Sequence, residues 1–212
     1  MRSEFNMTKI KLCGLSRIED IEAANELLPE YIGFVFYKKS SRNVTPEAAL
    51  ELKGSLDPGI KVVGVFVDED ISFINDIVAA NTIDIIQLHG HEDNDYINKL
   101  KSITKLPVIK AIQISDDNSF SDYQEVDADY FLLDSGMGTG NTFNWNLVKD
   151  KMDSLGKGIF LAGGLDPDNV SEAIDKLHPF AVDVSSGIET DKHKDIDKMR
   201  RFVSAARRNK ND

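Results

Sequence analysis

A thiol and a carboxyl group each close a predicted buried strand. Cys13 ends the run Lys9–Cys13, and Asp134 comes directly after the apolar run Tyr130–Leu133. As a thiolate, Cys13 would be a base or a nucleophile, provided that its surroundings depress its pKa. Desolvation raises the pKa of a carboxyl group, so Asp134 could carry a proton near neutral pH. The structural alternatives are a small buried hydrophobe for Cys13 and a helix or turn cap for Asp134.

Three glycine-bearing turns occur late in the chain and could bind an anion. Glycine lets the backbone approach a ligand, and successive N–H groups can form a nest for an anion. Serine hydroxyls at the start of a short helix would add donors. A single glycine turn is weak evidence, but such turns after the last two strands favour phosphate binding over plain turn chemistry. The residues predicted to bind phosphate are Gly138, Gly140, Gly163, Gly164, Ser185, Ser186 and Gly187.

Arg42 ends the basic stretch Lys38–Arg42, which follows the second predicted strand. A guanidinium can hold a substrate carboxylate through two parallel hydrogen bonds. A solvated basic loop is the alternative and is the preferred interpretation for Lys38 and Lys39. The sequence alone does not select Arg42 from its neighbours.

Further polar residues lie in the fourth and eighth predicted strands or just after them. His89, His91 and Glu92 invite a metal site, but no second cluster supplies more ligands. We therefore predict no metal and give His89 a capping, packing or substrate-contact role. Asp183 lies between two valines, where a buried charge needs a partner. Contact with substrate or the phosphate loop and a structural hydrogen bond inside the fold both remain open for Asp183.

The elements that must position these side chains alternate along the chain. Short apolar runs rich in β-branched residues alternate with longer amphipathic stretches, and most of the short runs are continuously apolar. Such runs are typical of parallel strands that are covered on both faces. The predicted strands are Lys9–Cys13, Tyr31–Phe36, Lys61–Val67, Ile83–Leu88, Val108–Ile112, Tyr130–Leu133, Gly158–Leu161 and Ala181–Val184.

Several predicted helices have recognisable starts. Ser16 precedes a helix over Arg17–Leu28, with Glu19 at capping-box spacing. Thr45 and Asp166 each precede a proline, which favours an N-cap followed by proline at the first helical position. The second of these helices would run over Asp168–Leu177. A fifth helix near Ser119–Val126 is only weakly patterned.

Eight βα units in a row predict an α/β fold with a single (β/α)₈ TIM barrel and phosphate-binding loops after strands 7 and 8. An open doubly wound sheet would usually have its glycine-rich turn after the first strand instead. In a barrel, the ends of strands one and six could face each other across the mouth. We expect residues 1–6 to be a vector-derived or disordered leader, and residues 7–212 to form one domain that acts on its own.

Composition narrows the class of protein. The 212 residues carry a formal net charge of -11, which disfavours a nucleic-acid partner but leaves an anionic small molecule possible through local groups. One cysteine cannot form an intramolecular disulfide, which fits a reducing cytoplasm. No apolar run approaches the length of a membrane span. Protein partners cannot be read from the sequence.

Five stretches, in order, resemble the phosphoribosylanthranilate isomerases of tryptophan biosynthesis. The resemblance covers essentially Lys9 to Arg207. The matching stretches are Lys11–Gly14; Gly33–Phe36 leading to Ser41-Arg42; Gln87–Gly90; Leu132–Asp134 with Gly138–Gly140 and Phe143–Trp145; and Gly163–Asn169 followed by Asp183–Gly187.

The resemblance implies an Amadori rearrangement of N-(5-phosphoribosyl)anthranilate to 1-(2-carboxyphenylamino)-1-deoxyribulose 5-phosphate, with no cofactor. It implies that Asp134 is the general acid that opens the ribose ring and that Cys13 is the base that removes the C2 proton. Arg42 matches the position that holds the anthranilate carboxylate, and the glycine turns match the phosphate site. Met137 stands where the family more often has glycine.

Three alternatives use the same fold. The histidine-pathway phosphoribosyl isomerase would have an aspartate where this chain has Cys13. A metal-dependent sugar-phosphate epimerase would need more histidines than this chain has. A non-catalytic phosphosugar-binding barrel would keep the phosphate site but lose Cys13 or Asp134, and both are present.

Overall fold

Eight parallel strands form a closed barrel, in which each strand pairs with the next and the last pairs with the first. We describe it from a computed structural model, which defines residues 7–114, 123–134, 149, 152 and 154–208. The predicted barrel is confirmed. The strands are β1 Lys9–Cys13, β2 Tyr31–Val35, β3 Lys61–Phe66, β4 Ile85–Leu88, β5 Val108–Gln113, β6 Tyr130–Asp134, β7 Gly158–Ala162 and β8 Ala181–Val184.

Six helices lie in the described part of the chain. They are α1 Ile18–Leu27, α2 Pro46–Gly54, α3 Ile71–Ala79, α4 Asn94–Ile103, α5 Val170–Leu177 and α6 Ile196–Ala206. After β8 come a short 3₁₀ helix, Ser186–Ile188, and a small antiparallel hairpin of β9 Glu189–Thr190 and β10 His193–Lys194. A helix was predicted near Ser119–Val126, and its residues up to 122 lie outside the described residues. Its last four positions form a turn, in which the Val126 N–H donates to the carbonyl of Tyr123.

Two of the predicted helix starts need correction. The helix α1 is capped from Asp20 rather than Glu19, because the Asp20 carboxylate accepts from the backbone N–H groups of Ser16 and Arg17. The helix α5 begins two residues later than predicted, because Asp166 caps a preceding turn by accepting from the N–H groups of residues 168 and 169. The Thr45 start is confirmed, since its side chain accepts from the Ala48 N–H.

Alternation along β1 separates the two sides of the barrel wall. Ile10 and Leu12 belong to the cluster that packs against the helices, whereas Lys11 and Cys13 point the other way, into the barrel. The lower barrel interior is apolar and is closed by one cluster of side chains: Tyr31, Val63, Ile85, Ile109, Leu132, Phe160, Ala162 and Ala181. Cys13 belongs to a smaller cluster with Val35 and Val65, toward the carboxyl ends of the strands.

A buried ion pair lies at the seam where β8 meets β1. Lys11 and Asp183 are direct register partners, and the Lys11 Nζ donates to Asp183 Oδ1 over 2.9 Å. The two side chains are 0% and 8% exposed. Burial lowers the pKa of Lys11, but the charges of Asp183 and Cys13 outweigh it and hold that pKa above its ordinary value. The partner expected for Asp183 is therefore Lys11.

We expect Lys11→Met to cost about 3–5 kcal/mol in the free energy of unfolding, because it leaves the Asp183 carboxylate buried without its partner. The double variant K11M/D183N removes both charges and should recover most of that loss. Urea unfolding measures both values. Lys176→Met, at the exposed pair with Glu172, is the control and should change stability little. A double variant that is no more stable than the single one would contradict the pairing argument.

Candidate active site

A cavity of about 490 Å³ opens at the carboxyl ends of the strands, where barrels of this kind hold their active sites. It brings together residues from β1, β2, β3, β4, β6, β7 and β8 or the loops that follow them. The predicted site residues in its lining are Cys13, Arg42, His89, Asp134, Gly163, Gly164, Asp183, Ser185 and Ser186. Gly138 and Gly140 lie outside the described residues, and Gly187 lies behind the lining.

Cys13 lines the cavity as a buried thiol whose pKa lies above its ordinary value. Its side chain is 7% exposed, and the missing Cβ of Gly33 leaves room for it, since a Cβ there would lie 2.7 Å from Sγ. Burial raises the pKa of this thiol, while the ammonium groups of Lys11 and Lys194 act in the opposite direction without overcoming it. The sequence argument made a thiolate conditional on a depressed pKa. That condition is not met, because desolvation outweighs the effect of the nearby lysines on the Cys13 pKa.

Asp134 ends β6 with its side chain 33% exposed, so it is less desolvated than the sequence argument assumed. His89 Nε2 lies 3.8 Å from Asp134 Oδ2. The other ring nitrogen, Nδ1, lies 2.9 Å from the Gln87 Nε2. If the Gln87 amide donates to Nδ1, the proton of a neutral imidazole lies on Nε2, toward Asp134.

Gln87 is a site residue that the sequence reasoning missed. It is 1% exposed and lines the cavity, and among the described residues its Oε1 has no hydrogen-bond partner. The available signal was a polar side chain in an otherwise apolar strand, two positions before His89. An unsatisfied buried acceptor costs free energy, which is tolerated more often at functional sites than elsewhere.

Arg42 is paired with a carboxylate of this chain, that of Glu189. Its Nε donates to Glu189 Oε1 over 2.6 Å, and its Nη2 donates to Glu189 Oε2 over 2.7 Å. Lys194 Nζ donates to the same Oε1 over 2.6 Å and to the carbonyl of Ser185 over 2.9 Å. Glu189 and Lys194 were not singled out from the sequence, because they lie in a charged stretch that resembles any exposed loop.

The loop after β7 has a backbone that favours glycine, and it packs against the loop after β8. Gly163 and Gly164 adopt φ values of 88° and 67°, which side-chain-bearing residues rarely do. A Cβ on Gly187 would overlap the carbonyl oxygen of Leu165, so the two loops pack directly on each other. The Ser185 hydroxyl donates to the carbonyl of Cys13 over 3.2 Å, which ties the second loop to the end of β1.

The His89–Glu92 segment forms a polar network. Glu92 accepts from the N–H groups of Asp68 and Gly90 and from the buried ammonium of Lys110. His91 is exposed and pairs with Asp68. Within the described ranges, no group of three or more His, Cys, Asp and Glu side chains is placed to hold a metal ion. Nor is any helix of the described chain long and apolar enough to cross a bilayer.

The fold and the position of the cavity are those of a (β/α)₈-barrel enzyme, since such enzymes hold their active sites at the carboxyl ends of the strands. The sequence model of the N-(5'-phosphoribosyl)anthranilate (PRA) isomerase family matches residues 10–205. This chain belongs to that family.

Relatives and solved structures agree with this assignment. The N-(5'-phosphoribosyl)anthranilate isomerase of Clostridium acetobutylicum is 45% identical over 207 residues, which are 95% of this chain and 99% of the relative. That of a Thermoanaerobacter species is 46% identical over 95% of this chain and 98% of its own. The crystal structure of the Thermotoga maritima isomerase is 36% identical, covers 94% of this chain and 98% of its own, and superposes with a TM-score of 0.85.

The raised pKa of Cys13 can be tested by alkylation, which reports on this residue alone because the chain has one cysteine. Iodoacetamide reacts with the thiolate, so the rate should rise with pH toward a midpoint above the ordinary 9.0. In K11M/D183N the midpoint should move higher still, because the attraction of Lys11 exceeds the repulsion of Asp183. Mass spectrometry at timed intervals measures both midpoints. Lys176→Met should leave the midpoint unchanged, and a midpoint below 9.0 in the wild type would contradict the argument.

Proposed function

We propose that this chain catalyses the Amadori rearrangement of N-(5-phosphoribosyl)anthranilate to 1-(2-carboxyphenylamino)-1-deoxyribulose 5-phosphate in tryptophan biosynthesis. The observation that carries the proposal is that Cys13 and Asp134, from the non-adjacent strands β1 and β6, line one cavity. Ring opening needs a proton donor and enolisation needs a base, and a carboxyl group and a thiol can fill these two roles.

Asp134 acts first, as the general acid. Its carboxyl proton passes to the ribose ring oxygen, the bond from C1 to that oxygen breaks, and the nitrogen lone pair forms the iminium. The partial exposure of Asp134 at the cavity mouth allows it to exchange its proton with solvent between turnovers. His89 orients the carboxyl group from 3.8 Å away.

Cys13 acts second, as the general base. Its thiolate removes the proton from C2, and the electrons of that bond form the C1–C2 double bond and neutralise the iminium nitrogen. The resulting enolamine tautomerises to the ketone. Substrate and product are isomers, so the balance closes without a redox cofactor, and we propose none.

The productive enzyme holds its proton on Asp134 and not on Cys13. The opposite arrangement has the same total charge, so pH does not choose between the two, and the difference between the pKa values of the two groups decides how much productive form exists. Lys11 and Lys194 favour the thiolate. Asp183 contributes indirectly, since it holds Lys11 beneath the thiol.

Three groups of residues hold the ends of the substrate. Arg42 binds the anthranilate carboxylate. The phosphate lies between the loop of Gly163 and Gly164 and the start of the 3₁₀ helix at Ser185 and Ser186, backed by Gly187. Gly138 and Gly140, beyond the described residues, are proposed to close the phosphate side. These contacts lie away from the reacting bonds, and their binding energy holds the sugar in the orientation that the reaction needs.

The setting of the protein is also a proposal. The net charge of -11 supports a small anionic substrate held by local groups rather than a nucleic-acid partner. The single cysteine supports a reducing cytoplasm.

We expect Cys13→Ala and Asp134→Asn each to lower turnover by about 10²–10⁴-fold, the usual contribution of a general acid or base. Fluorescence measures the consumption of freshly prepared phosphoribosylanthranilate in the presence of EDTA. Both variants should still bind a reduced product analogue, because neither removes the phosphate loops or Arg42.

The control is Asp127→Asn, which changes an exposed aspartate on the loop before β6 and should leave turnover unchanged. If either active-site variant kept near-full activity, the role assigned to that residue would be wrong. Loss of wild-type activity on adding EDTA would reopen a metal-dependent reaction. Binding of the analogue without any wild-type turnover would favour a non-catalytic phosphosugar-binding barrel.

A further inference from the structure

The hairpin after β8 carries two charged side chains back to the mouth of the barrel. The side chains of Glu189 and Lys194 are 8% and 2% exposed, so both side chains are buried although the residues belong to a short surface hairpin. Lys198 Nζ, on α6, donates to the carbonyl of Glu189 over 2.6 Å and fixes its backbone. A buried carboxylate that is held this firmly is a rigid anchor for its partners.

The charge of Glu189 is stable. Burial raises its pKa, but the hydrogen bonds from Arg42 and Lys194 outweigh burial and lower that pKa to about 2. The carboxylate therefore remains ionised throughout the neutral range.

The pairing of Arg42 with Glu189 leaves one side of the guanidinium available. Glu189 accepts from Nε and Nη2, which form one bidentate edge. The other edge consists of Nη1 and the second Nη2 hydrogen, and within the described residues Nη1 has no recorded partner. Arg42 lines the cavity with its side chain 28% exposed. The edge of the guanidinium that does not contact Glu189 is thus suited to bind a second carboxylate.

We propose that Glu189 is a positioning residue that fixes the Arg42 guanidinium for the substrate carboxylate and so sets the preference of the site for a carboxylate-bearing ligand. The proposal rests on the function proposed above, and specifically on the assignment of the carboxylate to Arg42. Lys194 holds the other side of Glu189 and reaches Ser185, so one network aligns the carboxylate and phosphate ends of the site.

A competing role for Glu189 is that of a stand-in, which the substrate carboxylate would displace from Arg42. The geometry disfavours displacement. Glu189 Oε1 is shared between Arg42 and the buried Lys194, so moving it would disturb two cations at once. The two roles predict opposite effects on ligand affinity, which makes them separable.

The test is Glu189→Asp, which keeps the negative charge but shortens the side chain by one methylene, so that it no longer reaches both Arg42 nitrogens. Calorimetry measures the dissociation constants of two reduced product analogues, one with and one without the ring carboxylate. We expect Glu189→Asp to lower the preference for the carboxylate-bearing analogue about tenfold, as the orientation of a bidentate ion pair is lost. Affinity for the other analogue should stay within about twofold.

Glu26→Asp is the matched control, since it shortens a glutamate that pairs with Arg200 on the exposed surface. It should change neither constant. If Glu189→Asp shifts both analogues equally, Glu189 is merely structural; if it tightens the carboxylate-bearing analogue, Glu189 is a stand-in. Either result overturns the proposal. Thermal unfolding checks that each variant folds, and Glu189→Gln takes the place of Glu189→Asp in the same comparison if the latter does not.

Wild-type activity separates this proposal from the one it rests on. A wild type that binds the two analogues equally would overturn both the Arg42 assignment and the role of Glu189. A wild type that discriminates between them, loses this preference in Glu189→Asp and yet does not turn over phosphoribosylanthranilate would support Glu189 while contradicting the proposed reaction.

Discussion

The buried ion pair between Lys11 and Asp183 constrains the rest of the structure. Two charges can lie inside an apolar barrel only when they meet, so the register of β1 on β8 is fixed at the seam that closes the barrel. A slip of one residue would turn Lys11 toward the helices and Leu12 inward. Because Cys13 follows Lys11 by two positions, the same register aims its thiol at the cavity. The pair that closes the barrel therefore also positions the proposed base.

Paired charges surround the thiol on two sides. Lys11 and Asp183 lie in the barrel wall, and Lys194, Glu189 and Arg42 lie at the mouth. Each carboxylate offsets the charge of a cation that would otherwise repel its neighbours. Lys11, Lys194 and Arg42 can therefore lie close to one another. This is how a chain with a net charge of -11 can offer a local site to an anionic substrate.

The sequence predicted what depends on local pattern and missed what depends on distant contacts. The bounds of β1 and β8 agree with the structure because apolar runs of that length leave little choice. Cys13 and Asp134 were found because each ends such a run. Glu189 was missed because its partner Arg42 lies 147 residues away, and the pairing exists only once the barrel is closed. The raised pKa of Cys13 was missed for a related reason, since burial is a property of the fold rather than of the adjacent residues.

A raised thiol pKa is compatible with a base that must remove a proton from carbon. Basicity rises with pKa, so the thiolate that does form is more reactive, although less of it is present. Reactivity grows more slowly than the population falls, so a raised pKa alone would reduce the rate. Ring opening offsets this loss, because it places the positive iminium next to Cys13, and a neighbouring cation stabilises the thiolate. The buried setting strengthens this attraction, because little water screens the two charges from each other.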